Sequence, residues 1–240
     1  MVNLPRAILF DLDDTIISYS PRQLILVETA KEFSDALAPI APNTVADAID
    51  DEFKSFWADP TRNRNWRMRV QDACRSMVSN ALTKLRGGHR PQSDELAYQL
   101  ADRFLERRER EMSFFPQAIE TIDALKIRGV RLALVTNGSS ETQRLKIERF
   151  NLMPCFDHIQ VEEEAGFGKP DPRAYCRALE VLTVNPQEAW MVGDHLEFDV
   201  AAPQCLGIQG VWHDHLGRGL PLHTSVRPDR IIRRLSELLT

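Results

Sequence analysis

The apolar positions of this chain follow two rhythms. From Gln117 onward, short apolar runs alternate with helical patterns: "RLALVT" at 131–136, "HIQV" at 158–161, "AWMVGD" at 189–194 and "GIQGVW" at 207–212. Runs of this length, bounded by polar residues, suit strands buried on both faces. Between them Tyr175, Ala178, Leu179 and Leu182 recur at i, i+3, i+4 and i+7, the spacing of one helical face. The same spacing at Ile231, Leu235 and Leu238 predicts a helix near the C-terminus. Strand following helix in this order predicts an α/β fold: a doubly wound, mostly parallel, Rossmann-like sheet with helices on both faces.

Residues 18–112 keep a different rhythm, with helical periods and no credible strand. Leu26, Ala30, Phe33 and Leu37 form one stripe, and Val45, Ile49, Phe53 and Phe56 a second. Trp66, Val70, Ala73, Met77 and Ala81 form a third, and a fourth helix is expected over Ser93–Glu111. Breaks fall at "APIAPN" (38–43), "ADPT" (58–61) and "RGGHRPQ" (86–92), each with the Pro or Gly that stops a helix. The pattern predicts a four-helix module at 18–112, inserted after the first strand of a core made of residues 1–17 and 113–240.

Composition narrows the partners. The 240 residues are 43% hydrophobic, enough for a sizeable core, and 35 acids outnumber 30 Lys and Arg for a formal charge of -5. That balance favours small-molecule chemistry over a nucleic-acid or membrane surface. Cys74, Cys155, Cys176 and Cys205 are scattered without a Cys-x-x-Cys pair and read as reduced thiols, which suits the cytoplasm. "MVNLPRAILF" lacks the pattern of a signal peptide, and no apolar run reaches membrane-span length.

The first strand raises the chemical question. In "ILFDLDDTI" an apolar run meets three acids within four positions, and carboxylates rarely end a buried strand without a cation or a task. Ligands of open parallel sheets bind beyond the carboxyl ends of the strands, so the polar residues found there converge. Strand one delivers Asp11 and Asp13, the 131–136 strand Thr136 and Asn137, and the 189–194 strand Asp194, with Asp199 five residues on. Lys169 lies in "GFGKPDP", a loop expected to hold it at the same rim until Asp171 caps a helix with Pro172 at its first position.

"DLDDT", "LVTNGS", "GKPDP" and "GDHLEFD" resemble, in order, the four motifs of the haloacid dehalogenase superfamily in its phosphatase branch. The resemblance covers residues 1–17 and 113–240, and the helical insert is similar to the all-α cap of many members. It implies a Mg²⁺-dependent phosphatase acting on small phosphomonoesters, with nucleotide or sugar phosphates as candidates. Asp11 would be the nucleophile that becomes an aspartyl-phosphate, and Asp13 the general acid and base. Mg²⁺ would be held by the Asp11 and Asp194 carboxylates and the Asp13 backbone carbonyl, which answers the excess of acid. Thr136, Lys169 and the amides of Asn137 and Gly138 would bind the phosphoryl group, with Asp199 supporting the lysine or a metal-bound water.

Rival functions share parts of this pattern. A haloacid dehalogenase uses the same nucleophile but needs no acid at the Asp13 position, and the threonine in "DLDDT" resembles phosphatases more than sugar phosphomutases. A phospho-signalling receiver also sets Asp, Thr, Lys and Mg²⁺ on a parallel sheet, but it is about half as long and has no cap. Asp14 reads as a solvated neighbour or capping group, and His195 as a rim residue. "WHDHLGRG" (212–219) offers His213, Asp214 and His215, a weak zinc signal that reads better as a polar loop after the last strand. "FWADPTRNRNWRMR" (56–69) mixes Trp57 and Trp66 with Arg62, Arg64, Arg67 and Arg69, a set able to contact a substrate if it does not merely face solvent.

Overall fold

The structure is a computed structural model that describes residues 4–89 and 93–240; the first three residues of the N-terminal stretch and positions 90–92 of the predicted 86–92 break lie outside the described residues. The chain divides into two compact units, Met1–Ser18 with Ser113–Thr240, and Tyr19–Met112.

The first unit begins with β1 (Ala7–Phe10) and a tight turn in which the amides of Ile16 and Ile17 both donate to the Leu12 carbonyl at 3.0 Å. A short strand, β2 (Ile17–Ser18), then leads into the insert. The insert holds α1 (Arg22–Glu32), α2 (Ser34–Leu37), α3 (Pro42–Trp57), α4 (Pro60–Trp66), α5 (Val70–Leu85) and α6 (Glu95–Arg110). β3 (Ser113–Phe114) pairs antiparallel with β2, so the chain leaves and re-enters the first unit through one two-stranded ribbon. This pairing, with the Ser18 hydroxyl 3.3 Å from the Ser113 carbonyl, places Ser18 with the core rather than the insert.

After β3 the alternation is regular. α7 (Ala118–Ile127), β4 (Arg131–Thr136), α8 (Ser140–Arg149), β5 (His158–Val161), α9 (Glu162–Ala165) and α10 (Pro172–Leu182) come first. β6 (Ala189–Gly193), a π-helical turn (Leu196–Ala201), α11 (Ala202–Gln204), β7 (Gln209–His213) and β8 (Arg230–Ile232) complete the sheet. All six strands are parallel in the order β5-β4-β1-β6-β7-β8, as expected of the α/β class. The chain places β4 and β5 on one side of β1 and the later strands on the other, so the switch point lies at β1.

Every residue of β1 and β6 is buried, the continuous apolar signature of a sheet covered on both faces. On one face Ala7, Leu9, Ala133, Val135 and Met191 pack against Ala174, Tyr175, Ala178, Leu179 and Leu182 of α10, the stripe read from the sequence. Asp171 caps this helix by accepting from the Arg173 amide at 2.9 Å, with Pro172 at its first position.

The insert has its own core. α1 packs on α3 and α6, and α5 on α3 and α6, around Leu26, Ala30, Val45, Ile49, Phe53, Met77, Ala81, Leu100 and Phe104. Among the described residues no helix is long and apolar enough to cross a membrane.

Three expectations are corrected. The stripe from Trp66 to Ala81 spans two helices: α4 ends at Trp66, Arg69 precedes α5, and Val70 is exposed. Arg69 still lies over the Trp66 ring at 4.9 Å, and Arg62 over Phe56 at 5.7 Å, so both guanidinium groups stack within the insert. The C-terminal stripe is not an α-helix, because Ile231 lies on β8 and Leu235 and Leu238 on a 3₁₀ turn. Its reason is that β7 offers an open edge that Arg230–Ile232 can pair with, burying Ile232 instead of Ile231. Finally, "GIQGVW" is not the last strand, and His213 is a buried residue ending β7 rather than part of a polar loop.

Candidate active site

The carboxyl ends of β1, β4 and β6 carry Asp11, Thr136 and Asp194, and the loop before α10 brings Lys169 among them. Lys169 is 2% exposed, and its Nζ donates to Asp11 Oδ1 and Asp199 Oδ1, both at 2.7 Å. Asp199 is wholly buried, and its second oxygen accepts the His195 amide at 3.0 Å, so protein donors engage both of its oxygens.

Two glycines permit this closeness. A Cβ on Gly193 would stand 2.2 Å from the Asp199 carboxyl carbon. One on Gly168 would meet Glu162 Cδ at 2.4 Å and Asn137 Oδ1 at 2.6 Å. Bare backbone at the end of β6 and ahead of Lys169 therefore lets both side chains reach the site. Tyr175, buried on α10, donates its hydroxyl to the Phe198 carbonyl and steadies the turn that carries Asp199.

The Asn137 side chain turns to the lysine loop. Its Nδ2 donates to the Lys169 carbonyl at 2.7 Å and its Oδ1 accepts the Lys169 amide at 2.8 Å, a two-point clamp on the lysine loop. The start of α8 is also already supplied with anions. Gly138 N donates to Glu162 at 3.0 Å and Ser140 N to Glu163 at 2.6 Å, which corrects the expectation that the Gly138 amide faces a phosphoryl group. A helix N-terminus favours negative charge, and α9 provides it from within the chain.

Asp13 lies beyond β1 and is held from α8. Lys146 Nζ donates to its two carboxylate oxygens at 2.8 and 2.9 Å, and Gln143 Nε2 donates to Oδ2 at 3.0 Å. Gln143 Nε2 also donates to the hydroxyl oxygen of the buried Thr136, leaving the threonine's own proton for another acceptor. Neither Gln143 nor Lys146 was picked out from the sequence. Their signal was two polar residues three apart on one face of the helix after "LVTNGS", one of them buried where an apolar residue would be ordinary.

Charge is unbalanced in this cluster. Carboxylate oxygens of Asp11, Asp194 and Asp199 lie within 4.8 Å of one another, with one lysine among them. Burial pushes Asp11 up to about 7 against the pull of Lys169, with Asp199 and Asp13 adding to the rise. Asp194 is raised well above the usual carboxylate range by burial, then by Asp11, Asp199 and Asp14. Burial alone would lower Lys169, yet Asp11 and Asp199 outweigh it and hold the ammonium above its ordinary value. With Asp199 committed to Lys169 and His195, Asp11 and Asp194 are the acids left in surplus, and a hard divalent cation with oxygen ligands fits them.

The remaining candidates fall outside this cluster. The His195 ring stacks on Phe198 and its Nδ1 accepts the Phe198 amide at 3.3 Å, so it caps the π-helical turn. Asp14 adopts a left-handed backbone, with φ of 54°, in the turn after β1. Asp214 folds the following loop by accepting the Arg218 and Gly219 amides at 3.0 and 2.8 Å, and His213 and His215 both pack on Phe115. Asp194, Trp212, His213, Asp214, His215 and Arg218 line a cavity of about 550 Å³.

The sequence model of the haloacid dehalogenase-like hydrolases matches residues 5–207. A phosphoserine phosphatase of Thermus thermophilus is 34% identical over 188 residues, 78% of this chain and 67% of the relative. A ribulose-1,5-bisphosphate 5-phosphatase of Halopiger xanaduensis is 30% identical over 210 residues, 87% of this chain and 84% of the relative. Among solved structures, a magnesium-bound putative hydrolase, YfnB of Bacillus subtilis, superposes with a TM-score of 0.73 at 25% identity, covering 98% of this chain and 97% of that one.

Proposed function

Because the chain belongs to the haloacid dehalogenase-like hydrolases, in their phosphatase branch, we propose that it hydrolyses small phosphomonoesters by two successive displacements through Asp11. The observation that carries this reading is the buried contact of Lys169 with Asp11 at the switch point of the sheet, beside Asp194 and Thr136. It sets a carboxylate nucleophile and a fixed cation where a phosphoryl group would enter.

Asp11 attacks phosphorus, the bond to the leaving oxygen breaks, and Asp13 delivers a proton to that oxygen. Asp13 then takes a proton from water, the water oxygen bonds to phosphorus, and the Asp11–phosphorus bond breaks to release inorganic phosphate. Lys169, the Thr136 hydroxyl and the Asn137 backbone amide bind the phosphoryl oxygens; the Asn137 side chain serves through its clamp on Lys169. Asp199 keeps the lysine in place. The cation would be Mg²⁺: the Asp11 and Asp194 carboxylates and the Asp13 carbonyl would hold it, and when bound it would supply the positive charge that lets a phosphate dianion approach these acids.

The substrate class is small phosphorylated metabolites, sugar or nucleotide phosphates included; the two named relatives, phosphatases of a phosphoamino acid and a sugar bisphosphate, support a small phosphorylated metabolite. Tyr19–Met112 is assigned the part of cap and a share in substrate choice. The reaction takes place in the cytoplasm.

The test is hydrolysis of a generic aryl phosphate with Mg²⁺, with excess chelator, and by Asp11→Asn. Activity should vanish with chelator and with the amide, and acid quenching should trap phosphate on the wild-type protein only during turnover. A long-lived phosphoprotein would point to a receiver-like module, and release of halide from 2-haloacids without phosphate hydrolysis to a dehalogenase. Full activity in metal-free buffer would refute the mechanism.

A further inference from the structure

α8 reaches the site with two side chains that the reaction above does not use. Gln143 and Lys146 share one face of the helix, and the Lys146 ammonium donates to Gln143 Oε1 at 2.8 Å as well as to both oxygens of Asp13. Gln143 bridges onward from Asp13 to the Thr136 hydroxyl. The result is one connected set, Lys146–Asp13–Gln143–Thr136, joining the residue that moves protons to one that meets the phosphoryl group.

We propose that Lys146 and Gln143 are positioning residues that fix the Asp13 carboxylate relative to the phosphoryl site. The proposal rests on the acid–base reading of Asp13. Asp13 sits in a turn and its side chain is one-third exposed, whereas that of Lys146 is 12% exposed and Gln143 is buried. An exposed ion pair alone would contribute little. Here two donor groups make three hydrogen bonds to two oxygens, and the amide that orients one of them is itself locked by burial and by Thr136. Without these hydrogen bonds the Asp13 carboxylate loses the hold from α8 that directs it toward the leaving oxygen. A misplacement of about 1 Å in a reacting group can cost about 100-fold in rate.

The set also explains why a cation faces Asp13 from α8 when the reaction already has Lys169. Lys169 is committed to Asp11 and Asp199. Lys146 meets both oxygens of Asp13, and it serves the geometry of that carboxylate rather than the transferring phosphate.

The experiment measures kcat and KM on a series of aryl and alkyl phosphates graded by leaving-group basicity. It compares the wild type, Lys146→Met, Lys146→Arg, Gln143→Leu, Asp13→Asn and the double variant Asp13→Asn/Lys146→Met, all with Mg²⁺. Lys146→Met should lower kcat/KM, which reports the first displacement, by about 10- to 100-fold on the alkyl phosphates and by less on the most activated aryl phosphate. Lys146→Arg should recover part of the loss, and Lys146→Met should cost nothing further once Asp13 is Asn. Losses of kcat/KM that are equal across all leaving groups, or a full additional loss in the Asp13→Asn background, would overturn the proposal. If Lys146→Met does not fold, Gln143→Leu decides by the same comparison with Asp13→Asn. Asp13→Asn lowering kcat/KM alike for every leaving group is a separate result: it would overturn the role of Asp13 as general acid in the first displacement, and the positioning role with it.

Discussion

Replacing Lys169 with Met removes the cation that two carboxylates share. At 2.7 Å and an effective dielectric constant of about 20, each contact carries about 6 kcal/mol of gross Coulomb energy. Desolvation of the ammonium offsets much of this, and breaking a buried pair from one side costs about 3–5 kcal/mol net. In a chain of this size that corresponds to a fall in Tm of about 6–20 °C.

The variant leaves Asp11 and Asp194 facing Asp199 with no cation between them, so the folded-state proton affinities of Asp11 and Asp194 rise further above the unfolded values. A carboxylate whose folded pKa is raised stabilises the fold below the unfolded pKa and loses that contribution as pH rises through the folded one. With Asp11 already at about 7 in the wild type, the deficit of Lys169→Met should be small near pH 4 and widen up to and beyond pH 7. Thermal denaturation between pH 4.5 and 8 in chelator, so that no cation masks the repulsion, measures this directly. Aryl phosphatase activity with Mg²⁺ should fall by at least about 100-fold at every pH, since loss of one fixed transition-state donor costs about that much. A Tm difference that does not change with pH, or activity within about tenfold of wild type, would refute the reasoning.

Gly193→Ala should lower stability by about 1–3 kcal/mol and kcat by about tenfold or more, because its Cβ would occupy the place of the Asp199 carboxyl group; denaturant titration and initial rates check both. Asn137→Leu should cost about 1–3 kcal/mol by leaving the amide and carbonyl of Lys169 without their clamp, and should reduce kcat in parallel; an unchanged kcat would show that the loop holds itself. Mg²⁺ binding, followed by calorimetry in buffers of different ionisation enthalpy, should release protons below about pH 7 and weaken as pH falls, since Asp11 must lose its proton to become a ligand. Affinity independent of pH between 5 and 8 would remove Asp11 from the metal site.

Strand-end chemistry was legible because it is local. An apolar run of four to six residues buries itself in a parallel sheet whatever surrounds it, and the polar residue that ends the run must lie at the carboxyl edge. Asp11, Thr136 and Asp194 follow from that rule, as do the helix stripe of Tyr175 to Leu182 and its Asp171–Pro172 start. The change from short apolar runs to a helical rhythm near Ser18, and back near Met112, is equally local, and the proposed extent of the insert was read from it.

What depended on distant partners was not legible. The Trp66–Ala81 stripe was read through a break because aromatic and apolar spacing persists across it, and Ile231 was read as helical because a three-residue strand and a 3₁₀ turn can imitate that period. The Gly138 amide was assigned to phosphate because the motif cannot show that Glu162, 24 residues later, takes it. Asp13 found its partner 133 residues away on α8, where no spacing rule connects the two. Sequence by itself determined the kinds of groups that gather at the rim, through strand period and turn chemistry. Only tertiary packing decided which carboxylate each lysine neutralises and which are left for a cation, because desolvation and Coulomb energy depend on distance in space.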